Sequence, residues 1–481
     1  MAVDLLPGML HLTPAGDETL SHQLTRQLRS FIADGRLAPG QRLPSSRHLA
    51  NALKVSRNTV AFAIEQLAAE GYLVTSAGRR PVVSAGLSLI ARAAPPTKTG
   101  QRPRQNKVSR WANSLGRTGW PPDYQGRPRP FEPGLADERE FPHGVWGRCL
   151  RRAAGSARLG AGRLLNHPAL QEALLGHLAE HRGVKAQPGQ IIIVPSAQAG
   201  IGLIAKTMID AGDLAWIESP GYPGAFAALQ AAGADAAGVP VDDFGMAVAG
   251  RKDIPRIIFV TPSHQYPTGH LMPIGRRLEL LRYADSVGAS IIEDDYDGEF
   301  HYEARPVAAL QGLASSTRIF YLGTFSKPMF ADIRIGYIVV PEPLVKTFEL
   351  AQRHMGLLAS ITMQDALAEF IAAGAYLAHI RRVSRLYKTR RDRMLLALEA
   401  EAGGRFTIDV PPGGMQLLAR CRMAADDRRL SAQLLEAGVV ARPLSSLLFH
   451  KSKERGLFLG FAAWNEREID RAARILGQIV G

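Results

Sequence analysis

Cysteine and long apolar runs are almost missing from this chain of 481 residues, and each absence removes a class of protein. Cys149 and Cys421 stand far apart and outside any metal-ligand spacing. Neither a disulfide framework nor a bound metal is expected, and a reducing cytoplasm fits best. No stretch is long and apolar enough to span a bilayer, and the opening MAVDLLPGMLHLTP has no basic segment leading into an apolar one. Neither membrane insertion nor secretion is expected. Acid is also scarce in one place: between Arg79 and Pro130, eleven Lys or Arg meet a single acid, Asp123. Internal repeats and the GxGxxG, Walker, HExxH and GxSxG patterns are missing too.

What remains is an ordinary globular composition, 46% hydrophobic and 21% charged, in a chain long enough for several folding units. A multidomain protein is expected. The formal charge of +14 suits a polyanionic partner, and much of the surplus falls in the acid-poor stretch. There, APPTKTGQRPRQ and WPPDYQGRPRP replace hydrophobic periodicity with proline and polar residues. Residues 86–127 therefore read as an extended basic linker, able to approach phosphates while joining two domains.

Before the linker, residues 1–85 carry helix signals. Leu24, Leu28, Phe31 and Ile32 fall at helical spacing between Leu20 and Asp34, with Gly35 as a stop. A serine caps the short helix SSRHLANAL, and Ser56 caps RNTVAFAIEQLAAEG, whose Val60, Ile64 and Leu67 share one face. The next residues, YLVTSAGRRPVVS, read as two short strands around a tip at Gly78, Arg79 and Arg80. In such a helix-turn-helix with a wing, the second helix offers its N-terminus, here Arg57, Asn58 and Thr59, to the major groove. Arg47 and Arg79 are placed for backbone contacts. The run PGQRLPSSRHLANALKVSRNTVAFAIEQLAAEGYL resembles the winged helix of the GntR class of bacterial regulators, which implies an α+β fold that binds double-stranded promoter DNA.

Beyond the linker, IIIV (191–194), LAWI (214–217), RIIFV (256–260), ASIIE (289–293), RIFYL (318–322) and IGYIVV (335–340) read as strands separated by helical stretches. That alternation predicts an α/β domain with a mostly parallel sheet, followed by a smaller α+β lobe over the last hundred or so residues. Ligands of such sheets gather beyond the strand ends, and there the sequence places Asp294, Asp295 and Tyr296, then Thr324, Ser326 and Lys327, with Arg334 after them. A lysine, an acid, hydroxyls and an arginine in these places fit one cofactor, pyridoxal 5'-phosphate (PLP). The lysine condenses with its aldehyde, the acid partners the pyridine nitrogen, and hydroxyls and arginine take the phosphate.

ESPGYPG, TPSHQYPTG, IIEDDYDGEFHY and LGTFSKPMFADIRIGY make residues 128–481 similar to fold-type I aminotransferases, with a large lobe over about 180–375 and a small lobe over about 376–481. Joined to the winged helix, the chain resembles the MocR subfamily of GntR regulators. The resemblance implies Lys327 as the Schiff-base lysine, Asp294 as the pyridinium partner, Tyr296 facing the phenolic oxygen and Tyr222 stacked on the ring. It further implies a phosphate grip of Ser196, Ala197, Gln198, Thr324, Ser326 and Arg334. A homodimer is implied as well, each winged helix lying against the partner's large lobe.

The aminotransferase pattern is broken at several places. Phe458, in GLFLGFAAW, stands where an arginine clamps the substrate carboxylate; Tyr266 replaces an asparagine, Leu165 a tyrosine, and Ala331–Asp332 a Pro-Gly pair. Losing that fork favours sensing over turnover. Arg442, in VVARPLSS, reads either as a replacement anion contact or as a surface residue. The expectation is a regulator that binds promoter DNA and senses PLP or an amine or amino-acid effector. Two alternatives are a working aminotransferase with a DNA-binding appendage and a regulator whose second domain is only a scaffold.

Overall fold

In the computed structural model, the first unit holds three α-helices, the second and third started by serine side-chain caps. Helix α1 (Leu20–Ala33) buries Leu24, Leu28, Phe31 and Ile32 and ends at Gly35, whose φ of 72° lies in the left-handed region that glycine adopts without strain. Helix α2 (Ser46–Leu53) starts where the Ser45 side chain accepts from the His48 amide at 3.2 Å. In the same way Ser56 accepts from the Thr59 amide at 3.0 Å and starts α3 (Arg57–Ala69), which buries Val60, Ala63, Ile64 and Leu67. Strands β1 (Leu73–Val74) and β2 (Val82–Val83) pair antiparallel and turn at Gly78, forming the wing. Leu28, Leu49, Val60, Leu67 and Val83 meet in one core, each contributing roughly 1.5–3 kcal/mol by leaving water.

The structure describes residues 3–14, 18–86, 108–115, 126–155, 164–302, 307–314, 318–422 and 426–481. It divides into two units, Met1–Lys107 and Val108–Gly481. Most of the expected linker lies outside the described residues. Within it, Arg110–Ser114 forms a short helix capped by Ser109, and the Trp111 indole donates to the Ala227 carbonyl at 3.0 Å.

The second unit is built on β3 (Ile191–Val194), β4 (Leu214–Ser219), β5 (Asp235–Asp242), β6 (Gly245–Met246), β7 (Ile257–Val260), β8 (Ser290–Asp294), β9 (Ile319–Thr324) and β10 (Gly336–Val339). They form one sheet in the order β3-β10-β9-β8-β7-β4-β5-β6. Strands β5, β4, β7, β8 and β9 run parallel; β10 is antiparallel to both neighbours, and β6 folds back on β5. Continuous burial of β3, β8 and β9 is what a sheet covered on both faces requires. Strand β5, reading DAAGVPVD, was not anticipated, because its glycine, proline and acids hide the β signal and its place in the sheet comes from pairing with β4.

In the small lobe β11 (Phe406–Ile408), β12 (Gln416–Cys421), β13 (Arg442–Pro443) and β14 (Gly456–Gly460) form an antiparallel sheet in the order β11-β12-β14-β13. The long helix Ala375–Ala402 and the Glu466–Val480 helix, capped by Asn465 and Glu468, complete it. Among the described residues no helix is long and apolar enough to cross a membrane.

Candidate cofactor site

Where the carboxyl ends of β8 and β9 meet the turn after β3, a cavity of about 390 Å³ opens, and β12, β13 and β14 supply its far wall. All ten residues expected around the cofactor line it: Ser196, Ala197, Gln198, Tyr222, Asp294, Tyr296, Thr324, Ser326, Lys327 and Arg334. Lys327 and Arg334 share the wall because β9 and β10 form a hairpin, closed by the Phe325 amide donating to the Ile335 carbonyl at 3.0 Å. A loop carries both side chains across the same strand end. Arg334 takes a left-handed φ of 51°, a conformation that costs energy for any side chain and is retained where the surroundings enforce it.

One end of the cavity is made for an anion. Ser196 caps the twelve-residue helix Ala197–Met208 by accepting from the Ala199 amide at 3.1 Å, so the first amides of that helix are presented to the cavity. The Gln198 side chain turns away and donates to the Gly224 carbonyl at 2.8 Å, leaving its backbone to the cavity end. Thr324, Ser326 and the Arg334 guanidinium line the same cavity. Gly336 permits this approach: a Cβ there would stand 2.8 Å from the Ala197 nitrogen.

The other end holds the lysine and the acid. Asp294, at the tip of β8, is buried, and its Oδ1 has no hydrogen-bond partner in the protein. Burial, reinforced by the neighbouring Asp295 and Asp297 carboxylates, pushes it up to about 8. Asp295 follows it in sequence yet goes the opposite way. Although burial opposes it, the Arg182 guanidinium at 2.7 Å and the Tyr321 hydroxyl hold Asp295 below the usual carboxylate range. Two adjacent carboxylates are thus separated into an ionised, paired group and a buried one that holds its proton more tightly.

Lys327 donates to the Gly134 carbonyl at 2.6 Å. Burial, and then the Arg442 charge, push its ammonium down to about 8, with Asp297 and Asp294 opposing. An amine so poised is neutral, and nucleophilic, in a far larger fraction near neutral pH than a solvent-exposed lysine, on the order of a tenth at pH 7. Gly134, at φ 80°, is the cradle: a Cβ there would stand 2.9 Å from Nζ. Tyr222 and Tyr266 meet edge to face at 5.5 Å, and the Tyr296 hydroxyl accepts from the Gln416 side chain at 3.4 Å.

Gly134, Thr261 and Gln416 were not foreseen. They come from segments remote in sequence, and Gln416 carries only the weak signal of a polar residue opening the apolar strand QLLARC. Thr261 is held by Glu218, whose carboxylate accepts from its amide at 3.0 Å and its hydroxyl at 2.6 Å. Phe458 and Arg442 are both in the cavity wall. Leu165 lines a different cavity, and Ala331–Asp332 form an exposed single turn before Arg334.

In the first unit Arg47, Ser56, Arg57, Asn58, Gly78 and Arg79 are exposed and Thr59 is half-buried. Ser56 and Thr59 are occupied with each other, their hydroxyls 2.8 Å apart, so the cap itself fixes the start of α3. Arg57 and Asn58 stand on the first turn of α3, with Arg79 on the wing.

Residues 136–476 match the aminotransferase class I and II family, and residues 20–83 match the bacterial regulatory proteins of the gntR family. The second unit is thus an aminotransferase-class domain. An archaeal alanine:glyoxylate aminotransferase superposes with a TM-score of 0.69 at 25% identity, covering 77% of this chain and 95% of that one. Over the whole chain, the probable rhizopine catabolism regulatory protein MocR of Rhizobium meliloti is 38% identical, across 94% of this chain and 92% of the relative. The HTH-type transcriptional regulator TauR of Rhodobacter capsulatus is 32% identical over 94% of each. The chain belongs to the MocR-like GntR regulators, in which a winged helix and an aminotransferase-class domain share one polypeptide.

PLP is the cofactor that this domain class indicates, and the cavity fits it. The unpartnered Asp294 oxygen suits a protonated pyridine nitrogen, the helix start with Arg334 suits a phosphate, and Lys327 suits an aldehyde. When bound, PLP supplies an electrophilic carbonyl carbon conjugated to an electron-withdrawing ring. The chain's own residues around the cavity would hold it there, and burial loosens the proton on Lys327 Nζ.

Proposed function

We propose that this protein is a ligand-responsive transcriptional regulator that binds PLP and an amine or amino-acid effector without turning the effector over; occupancy by PLP itself is the simplest form of the same signal. Its winged helix holds promoter DNA through Arg57, Asn58 and Thr59, with Arg47, Ser56, Gly78 and Arg79 at the backbone. Lys327, Asp294, Tyr296, Tyr222, Ser196, Ala197, Gln198, Thr324, Ser326 and Arg334 serve the cofactor in the roles given above.

The observation that carries this reading is a cavity that has a group for every part of PLP but has Phe458 where the aminotransferase pattern has its carboxylate fork. Without the fork, bidentate orientation of an α-carboxylate is lost, and with it the alignment that repeated amino transfer needs. A ligand regulates by binding two arrangements of the protein unequally. The domain plan is a winged helix in 1–85, a linker in 86–127 and the cofactor domain in 128–481. A homodimer in the cytoplasm, reading paired half-sites, completes the proposal.

The test uses the full chain loaded with PLP. An amino donor should change its visible spectrum, and adding a keto acid should produce no multiple turnover. The same donor should alter affinity for a duplex carrying the chain's own upstream region. Multiple turnover would overturn the reading in favour of an aminotransferase with a DNA-binding appendage, the alternative that Arg442 in the cavity wall favours.

A further inference from the structure

We infer that Lys54, in the turn between α2 and α3, is a DNA-phosphate contact of the winged helix, held in a strained backbone conformation for the sake of its charge. This assignment rests on the winged-helix reading above, which gives Lys54 no role.

The backbone carries the first part. Helix α2 ends in a doubly bonded turn, the Val55 amide donating to the Ala50 carbonyl at 3.0 Å and the Lys54 amide to the Asn51 carbonyl at 3.3 Å. The residue inside that turn is left-handed, and Lys54 sits there at φ 52° and ψ 41°. Helix α3 ends in the same pair of bonds, from the Tyr72 amide to the Leu67 carbonyl at 2.8 Å and from the Gly71 amide to the Ala68 carbonyl at 3.0 Å. There the left-handed residue is Gly71, and after α1 it is Gly35. A Cβ in this conformation crowds the following carbonyl oxygen, so α2 is the one helix of the three whose end carries a steric cost that glycine would remove.

Nothing in the fold uses the lysine in return. Its side chain is exposed, and among the described residues it has no hydrogen-bond or ion-pair partner. The ion pairs of the first unit, Arg26–Glu18, Arg29–Glu70 and Arg36–Asp34, each take their arginine from α1 or from just past its end. Lys54 falls instead with the exposed cations that have no ion pair: Arg47 on α2, Arg57 on the first turn of α3 and Arg79 on the wing. The turn that holds it leads directly into Ser56 to Thr59.

A strained residue is retained where its side chain serves a function. Arg334 is the other cation with a left-handed φ among the described residues, and it lines the cofactor cavity. For Lys54 the partner is a phosphate and not a base edge. An ammonium on a flexible stem meets a phosphate as a point charge and carries no fixed fork for reading a base.

The experiment measures binding of the full chain to a duplex carrying its own upstream region and to a scrambled duplex of equal length, by fluorescence anisotropy between about 50 and 200 mM salt. Lys54→Gly should weaken both complexes by a similar factor, about three- to tenfold at the lower salt, and reduce the salt slope by about one. The melting temperature of its first unit should not fall, because the crowding is gone. A lysine kept only for packing would show the reverse, a lower melting temperature with an unchanged slope. Lys54→Asn repeats the loss of charge with a second residue that accepts the left-handed region, and Lys54→Arg, with the charge kept, should restore affinity and slope. An unchanged slope in either neutral variant, or a loss in Lys54→Arg equal to that in Lys54→Gly, overturns the inference, while weakened binding by Arg57→Ala keeps the winged-helix reading standing. A wild type that binds neither duplex overturns that reading and this inference together.

Discussion

In the winged helix the residues that face outward at the start of α3, Ser56 to Thr59, follow one another in the chain; in the cavity around Lys327 the walls come from segments between Pro133 and Phe458. The exposed groups of the first region act through ordinary charge and hydrogen bonding. Those of the second owe their properties to burial, which moves Lys327 down and Asp294 up to nearly the same value. A local surface can be altered with local consequences. A convergent site couples every change to its neighbours.

Lys327→Ala should break the second region most completely, abolishing the visible band of the lysine-bound cofactor. DNA affinity of the cofactor-free protein should stay as in the cofactor-free wild type, measured by fluorescence anisotropy. Asp294→Asn comes next, lowering PLP affinity by about ten- to a hundredfold through loss of a charge-assisted contact. Its cofactor-free form should melt at higher temperature than the wild type near pH 8. The sign follows from the raised pKa: the fold keeps a proton that the unfolded chain releases near pH 4, so stability falls as pH climbs toward about 8. Asparagine removes that cost.

The same physics sets a pH profile. Neutral Lys327 is the form that captures PLP, so the capture rate should rise about tenfold per pH unit below about 8 and level off above it. A flat profile from pH 6 to 9, followed in a stopped-flow spectrometer, would contradict the burial argument. Arg57→Ala should reduce DNA affinity on the order of tenfold, lower the salt slope by about one if it meets a phosphate, and leave the visible spectrum untouched. The smallest effect is expected from Ser56→Ala, where losing the bond to the Thr59 amide should cost about 1 kcal/mol in the melting of the first unit.

Much of this was legible in the chain. The winged helix was readable almost residue by residue, because serine caps, helix-ending glycines and a 3.6-residue apolar period are local signals with local causes. Six strands of the large sheet were readable as apolar runs, and ten of the residues that line the cavity were readable from the sequence. Strand β5 was not, because a sequence with glycine and proline becomes a strand only through its neighbour β4. Nor was the reversal of β10, which turns the Lys327 segment into a hairpin.

The sequence by itself therefore determined which elements form, which residues cap them and which side chains carry the chemistry, since those depend on spacing and residue type. Only the tertiary structure decided that Gly134 cradles Lys327, that Asp294 keeps a buried oxygen without a protein partner while Asp295 is paired, and that Arg442 lines the cavity with Phe458. Those outcomes depend on burial and on which charges become neighbours, and both are set when distant segments meet.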